Sequence, residues 1–214
     1  MERKMKKISC LMLDMGGVLT REHRLEKVDE IMARLELACP RERFLEAYFS
    51  ERFDYDRGIA DGLEYWGRVA RALGRPFDAA AVPDLVRLDL ESWFNMRPAM
   101  IDFLGGARRR VGRLVLLSNI HADGARYLRE GEGRAWAAHF HDLILSCEHR
   151  LLKPEIEIYE LALDASGALP GDTLFIDDNP DNVAGALRAG MSSFRFTDEA
   201  AFEATLARDY ELAQ

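Results

Sequence analysis

Five short apolar runs, each stopping where polar or glycine residues begin, constrain this chain more than any other feature. They are Ile8–Leu13, Leu114–Leu117, Leu143–Leu145, Leu174–Ile176 and Ser193–Phe196. Runs this short, bounded by turn residues, suit strands buried inside a domain. Helical patterns of matching length lie between the later ones, over Ala99–Arg110, Ala122–Arg129, Glu155–Ala165 and Pro180–Ala189. Strands alternating with helices predict βαβ units and a parallel sheet, an α/β fold. Pro98 and Pro180 stand where a first helical turn needs no N–H, and Gly167, Gly171 and Gly190 stand where helices should stop.

The stretch from Arg21 to Asn95 breaks this rhythm. It has helical periodicity, carries Trp66 and Trp93, and contains no convincing strand. Its place, directly after the first strand, is that of a helical insertion standing over that strand's carboxyl end. The expected division is a core formed by residues 1–20 and 96–214, with a small helical cap over 21–95. Ala79-Ala80-Ala81 marks a turn leading into a helix.

The net charge of -8 argues against sequence-independent binding to nucleic acid or to an anionic membrane, both of which need a basic surface. Three scattered cysteines, Cys10, Cys39 and Cys147, show neither a disulfide framework nor zinc-ligand spacing. The basic stretch Met1–Lys7 is followed by an apolar run that meets charge at Asp14, too short for a membrane span and without a small-residue cleavage site. A cytoplasmic protein, monomer or homodimer, is the expectation.

In an open α/β sheet, ligands bind at the carboxyl ends of the strands. Here those ends carry Asp14-Met15-Gly16-Gly17, Ser118-Asn119, Lys153-Pro154 and Asp177-Asp178-Asn179. An aspartate can attack phosphorus to give an acyl-phosphate. Glycines 16 and 17 let backbone N–H groups approach an anion. Ser118 can donate to a phosphoryl oxygen, and Lys153 can neutralise charge during transfer. Asp14 with Asp178 suits magnesium, which prefers oxygen ligands. Taken singly, each of these residues reads as a turn, a helix cap or a solvated loop. Their arrival at one rim from successive strands does not.

The motifs Asp14-x-Gly-Gly-Val-Leu, Leu116-Leu117-Ser118-Asn119, Lys153-Pro154-Glu155-x-x-x-Tyr159 and Phe175-Ile176-Asp177-Asp178-Asn179-x-x-Asn182-Val183-x-Gly185-Ala186 resemble, in order, the four motifs of haloacid dehalogenase-like hydrolases. The chain looks most similar to the branch containing bacterial α-glucose-1-phosphatase and the N-terminal phosphatase domain of soluble epoxide hydrolase. That resemblance implies a Rossmann-like five-stranded parallel sheet with helices on both faces, and a magnesium-dependent phosphatase acting on a small phosphorylated metabolite such as a sugar phosphate. It implies Asp14 as nucleophile and metal ligand, Asp178 and the Gly16 carbonyl as further ligands, and Ser118 and Lys153 as phosphoryl-binding groups. The amides of Met15, Gly17 and Asn119 would assist, and Asp177 and Asn182 would support Asp178 or the Lys153 ammonium.

One departure matters. Most family phosphatases carry an acid/base Asp two residues after the nucleophile, and here Gly16 stands there. Such assistance is worth about 10²–10⁴-fold in rate, most for a strongly basic leaving group. Glu22 or His23 could substitute. The alternative is a regulatory protein that binds a phosphate or sugar phosphate and turns it over weakly. The acidic pair Asp177-Asp178 counts against the metal-free dehalogenase chemistry, and Lys27 is the only lysine between Thr20 and Arg97 that could serve a Schiff-base route. Arg57, Trp66, Trp93, His121 and His149 are candidates for contact with substrate but read more simply as packing or surface residues.

Overall fold

A computed structural model describes residues 5–213. Met1–Lys4 of the basic N-terminal stretch and Gln214 lie outside the described residues. Among the described residues the strands are β1 (Lys6–Ile8), β2 (Cys10–Leu13), β3 (Arg113–Ser118), β4 (Asp142–Leu145), β5 (Thr173–Asp177), β6 (Ser192–Arg195) and β7 (Tyr210–Leu212). The five strands β2 to β6 form one all-parallel sheet in the order β4-β3-β2-β5-β6. The predicted first strand divides at Ser9. Ile8 belongs to β1, which pairs in parallel with β7 in a separate two-stranded sheet.

The unbroken apolar character of the strands follows from burial on both faces. Leu11, Leu13, Leu114, Leu116, Leu174 and Ile176 meet Met100, Leu104, Leu128 and Phe202, from helices Pro98–Ala107, Ala122–Glu130 and Glu199–Asp209. The alternate residues Cys10, Met12, Val115, Leu117 and Phe175 meet Ile158, Tyr159, Ala162 and Ala186, from helices Ile156–Ser166 and Pro180–Arg188. Period-two alternation therefore divides each strand between two helical layers.

Chain order runs outward from β2 to β3 and β4, then crosses to β5 and β6 on the other side. The reversal of strand order at β2 opens a crevice at its carboxyl end. Register brings the relevant residues level there, with Leu13 opposite both Leu116 and Ile176. The Asp14 amide donates to the Ile176 carbonyl at 2.9 Å, so Asp14 leaves the sheet beside Asp177.

The insertion consists of helices Leu25–Arg34, Arg41–Ser50, Arg52–Asp56, Gly62–Ala72 and Val82–Trp93. A turn of 3₁₀ helix, Ala79–Ala81, leads into the last of these. The insertion has its own apolar centre, built from Val28, Ile31, Phe44, Tyr48, Tyr65, Trp66, Val69 and Leu85. Chain entering and leaving it runs side by side. Arg21 N–H donates to Asn95 O at 2.8 Å, Arg97 N–H donates to Leu19 O at 2.8 Å, and Thr20 forms an antiparallel bridge with Met96.

Candidate active site

Asp14 follows β2 directly and is buried, with one carboxylate oxygen fixed twice. Oδ1 accepts from its neighbour's amide, Met15 N–H, at 2.7 Å and lies 2.7 Å from Lys153 Nζ. The Met15 amide is thus committed to Asp14. Lys153 is itself buried and sits between two carboxylates, with Asp177 Oδ2 also at 2.7 Å. Burial opposes its charge, but Asp14 and Asp177 outweigh that and raise its pKa above the usual lysine range.

The loop carrying Lys153 is clamped to the end of β3. Asn119 Nδ2 donates to Lys153 O at 3.0 Å, and Lys153 N–H donates to Asn119 Oδ1 at 2.8 Å. Asn119 therefore holds the lysine's backbone with its side chain. Ser118, the last residue of β3, is buried and lines the same cleft.

Asp177, at the end of β5, is fully buried and saturated with donors. Its oxygens accept from Lys153 Nζ, from the Asn179 amide at 2.8 Å, and from Asn182 Nδ2 at 3.1 and 3.0 Å. Asn182 is presented by the first turn of helix Pro180–Arg188, where Asn179 caps the N-terminus by accepting from the Asp181 amide. Asp178, one residue on, is half-buried. Asp14, Asp177 and Asp178 offer carboxylate oxygens all within 4.8 Å of one another. Because Asp177 is consumed by protein donors, Asp14 and Asp178 are the two left to receive a cation.

Electrostatics agrees with a cation there. Burial first, then the nearby Asp177 charge, pushes the Asp14 carboxyl up to about 7 despite Lys153. Burial and Asp177 likewise raise Asp178. An extra positive charge would favour the ionised form of both. All-oxygen donors match magnesium. Gly17 makes room for the arrangement: its φ is +68°, and a Cβ there would overlap the Asp178 carboxylate.

These groups form the floor of a cleft of about 270 Å³. Asp14, Met15, Gly16, Gly17, Ser118, Asn119, Lys153, Asp178 and Asn182 all line it, and Asp177 stands just behind. The insertion contributes Phe49, Arg52, Asp56 and Trp93 to its walls, and His121 joins from the segment after β3. Of these, only Trp93 and His121 are candidates from sequence. Phe49, Arg52 and Asp56 lie in a charged, aromatic run that gives no sign of which side chains turn inward. Trp66 is fully buried in the insertion's centre, Arg57 pairs with Glu155, and His149 is exposed. Lys27 pairs on the surface with Glu30 and Glu91, which removes it from the site. Glu22 and His23 do not line the cleft; His23 packs against Trp93 instead, with ring centroids 3.8 Å apart.

An open parallel sheet bearing a carboxylate cluster and a buried ammonium at its switch point is the frame of an α/β enzyme that binds its ligand at the carboxyl ends of the strands. Residues 8–190 match the hydrolase family described as haloacid dehalogenase-like hydrolase, and the chain belongs to that family. It is similar to a phosphoserine phosphatase of Thermus thermophilus, with 34% identity over 121 residues, covering 53% of this chain and 48% of the relative. It also resembles bifunctional epoxide hydrolase 2 of Rattus norvegicus, with 39% identity over 62 residues, which is 29% of this chain and 11% of that protein. The chain thus spans about half the length of the first relative and a small part of the second. Its fold is shared by a haloacid dehalogenase family enzyme from Bacteroides thetaiotaomicron in complex with magnesium and inorganic phosphate. That comparison has a TM-score of 0.71 at 21% identity and covers 91% of this chain and 98% of that one.

Proposed function

We propose that this chain is a magnesium-dependent phosphatase that hydrolyses a small phosphorylated metabolite through an aspartyl-phosphate on Asp14. One observation carries the reading: the carboxylates of Asp14 and Asp178 stand together while Lys153 Nζ lies 2.7 Å from Asp14, all on the floor of one cleft. In the first half-reaction an Asp14 oxygen bonds to phosphorus as the bond to the leaving oxygen breaks. In the second, water hydrolyses the acyl-phosphate and frees Asp14. Lys153 and Ser118 bind the phosphoryl oxygens, and Asp177 and Asn182 hold the lysine in place. Magnesium, held by Asp14, Asp178 and the Gly16 carbonyl, would neutralise phosphoryl charge in an otherwise acidic protein. The phosphoserine phosphatase likeness, and the magnesium and phosphate bound by the Bacteroides thetaiotaomicron relative, support this assignment. Residues 21–95 act as a cap that shapes the leaving-group side of the cleft; a sugar phosphate is one substrate that would suit it.

The test is phosphate release from a panel of phosphorylated metabolites with magnesium, comparing the protein with its Asp14→Asn variant. Release from the first and none from the second is expected; equal release from both would defeat the reading. Gly16 favours a second reading, a phosphate or sugar-phosphate binder with feeble turnover. It predicts a ligand-induced rise in melting temperature without hydrolysis.

A further inference from the structure

Breaking a phosphate ester leaves negative charge on the departing oxygen, and a strongly basic oxygen needs a proton as it leaves. The cleft has few groups that could give one. Besides Asp14, Lys153 and Asp178, the titratable residues lining it are Arg52, Asp56 and His121. Arg52 is a permanent cation. Asp56 is ion-paired with Arg52, its Oδ1 3.0 Å from Nε, so its carboxylate accepts hydrogen bonds rather than donating a proton. His121 is buried, and both its ring nitrogens face protein groups, with Nε2 3.3 Å from Asp89 and Nδ1 3.4 Å from the Gly124 amide. Lys153 is held between two carboxylates.

An aromatic ring borders the space beside the nucleophile. A Cβ at Gly16 would meet one neighbour within 4 Å, the benzo edge of Trp93 at 3.6 Å. That indole is fixed: its Nε1 donates to Tyr48 Oη at 2.7 Å, and His23 packs against the ring. Phe94, Phe49 and Ile120 line the cleft as well. The wall beside the nucleophile is therefore aromatic, and Arg52, Asp56 and His121 are each already engaged by protein groups.

We propose, resting on the phosphatase reading above, that the preferred substrates are aryl phosphomonoesters, whose planar leaving group departs unprotonated, and that Trp93 is the residue that selects them. The P–O bond breaks with both electrons passing to the phenolic oxygen, while an Asp14 oxygen takes its place on phosphorus. Water then adds its oxygen to phosphorus and expels the Asp14 carboxylate. One water proton stays on the phosphate and the other is released to solvent, where the phenolate takes up a proton. A weakly basic phenolate tolerates this route, and a simple alkoxide does not.

The experiment measures kcat/KM, at saturating magnesium, for phenyl phosphates graded by the acidity of their phenol and for simple alkyl phosphates. Without an acid in the cleft, rates should fall steeply with leaving-group basicity, and alkyl esters should be at least ~10²-fold slower than aryl esters, the size of the missing assistance. Trp93→Leu should raise KM for aryl esters by a larger factor than for alkyl esters, while Trp93→Phe should restore most of the aryl KM. Gly16→Asp should raise the alkyl rate most and flatten the slope. Alkyl esters turned over as fast as aryl ones by the unmodified protein would overturn the inference and leave the phosphatase reading standing. No phosphate from even the most acidic phenol's ester would take both down. The unmodified protein's slope decides the matter even if a variant fails to fold.

Discussion

Gly17 has a φ of +68°, and the space where its side chain would stand is filled by the Asp178 carboxylate. An alanine there would be strained in its backbone and would push aside a proposed metal ligand. Gly17→Ala should therefore raise the magnesium concentration needed for half-maximal phosphate release by about 10- to 100-fold, the usual cost of disturbing a ligand's surroundings. An unchanged magnesium titration would argue against Asp178 as ligand. His23 makes a different prediction. Its Nδ1 is 2.9 Å from Ser92 Oγ, while Nε2 is buried without a partner. Burial first, and Arg52 after it, lower its pKa to about 4 although Asp89 pulls the other way. The unfolded chain protonates near pH 6.5, so the folded state gains from a neutral ring above that pH and loses the gain as pH falls toward about 4. Denaturation by urea at a series of pH values should show His23→Phe losing less stability than the parent across that window; parallel losses would refute the assignment. Asp14, Ser118, Asp177 and Asp178 were legible from sequence because each stands at or just beyond a strand end, and Lys153 because its Lys-Pro pair falls in the loop that follows β4 and the short helix Ser146–His149. Arg52, Asp56 and Phe49 were not, because helix packing within the insertion decides which of its charged and aromatic side chains turn toward the cleft.

At the level of elements, the site depends on how closely two helices pass. A Cβ at Gly185, on helix Pro180–Arg188, would lie 2.7 Å from the Tyr159 ring of helix Ile156–Ser166. Tyr159 is fully buried, and its hydroxyl donates to Asn182 O at 2.9 Å, the residue whose side chain holds Asp177. Gly185→Ala sets two effects against each other. Alanine gains about 1 kcal/mol in a helix interior, whereas overpacking costs about 1–3 kcal/mol. Because the neighbour is an aromatic ring fixed at both ends, overpacking should win, and guanidinium unfolding should show a net loss of stability. A net gain would mean that the helices have room to part. The Gly185-Ala186 pair was visible in the chain as part of a motif, and the strands on either side of the site were read to within a residue or two. The pairing of β1 with β7 was not readable. Three-residue strands in a polar C-terminal stretch carry no periodicity, and their partner lies at the other end of the chain.

Across the whole molecule, two ties besides the Arg57–Glu155 pair fasten the insertion to the core. One is the paired entry and exit chain at Thr20 and Met96. The other is a buried polar seam. Asp89, fully buried on helix Val82–Trp93, lies 3.0 Å from Arg52 and 3.3 Å from His121 of the core and accepts from Tyr48 Oη. Burial opposes its charge, yet Arg52 and His121 hold the carboxyl well below the usual range. Around it, Tyr55 Oη donates to Asp123 at 2.8 Å, and Ser146 Oγ donates to the Asp56 carbonyl at 2.6 Å. A helical unit with its own apolar centre could melt alone, and this seam is expected to tie its unfolding to that of the sheet. Removing one partner of a buried ion pair typically costs about 3–5 kcal/mol, because the other charge stays buried without compensation. Asp89→Ala leaves Arg52 with Asp56 alone, so the damage should fall on the insertion first. In the parent protein, tryptophan fluorescence and far-ultraviolet circular dichroism should follow one coincident urea transition. With Trp136 of the core replaced in both proteins (Trp136→Phe), Trp66 and Trp93 report from the insertion, and the helices of both parts report in dichroism. In Asp89→Ala the fluorescence transition should move to lower urea and separate from the dichroism. If the two signals stay superimposed while both shift, the seam contributes stability but does not couple the two parts. If neither shifts, the buried carboxylate does not hold the insertion to the core at all.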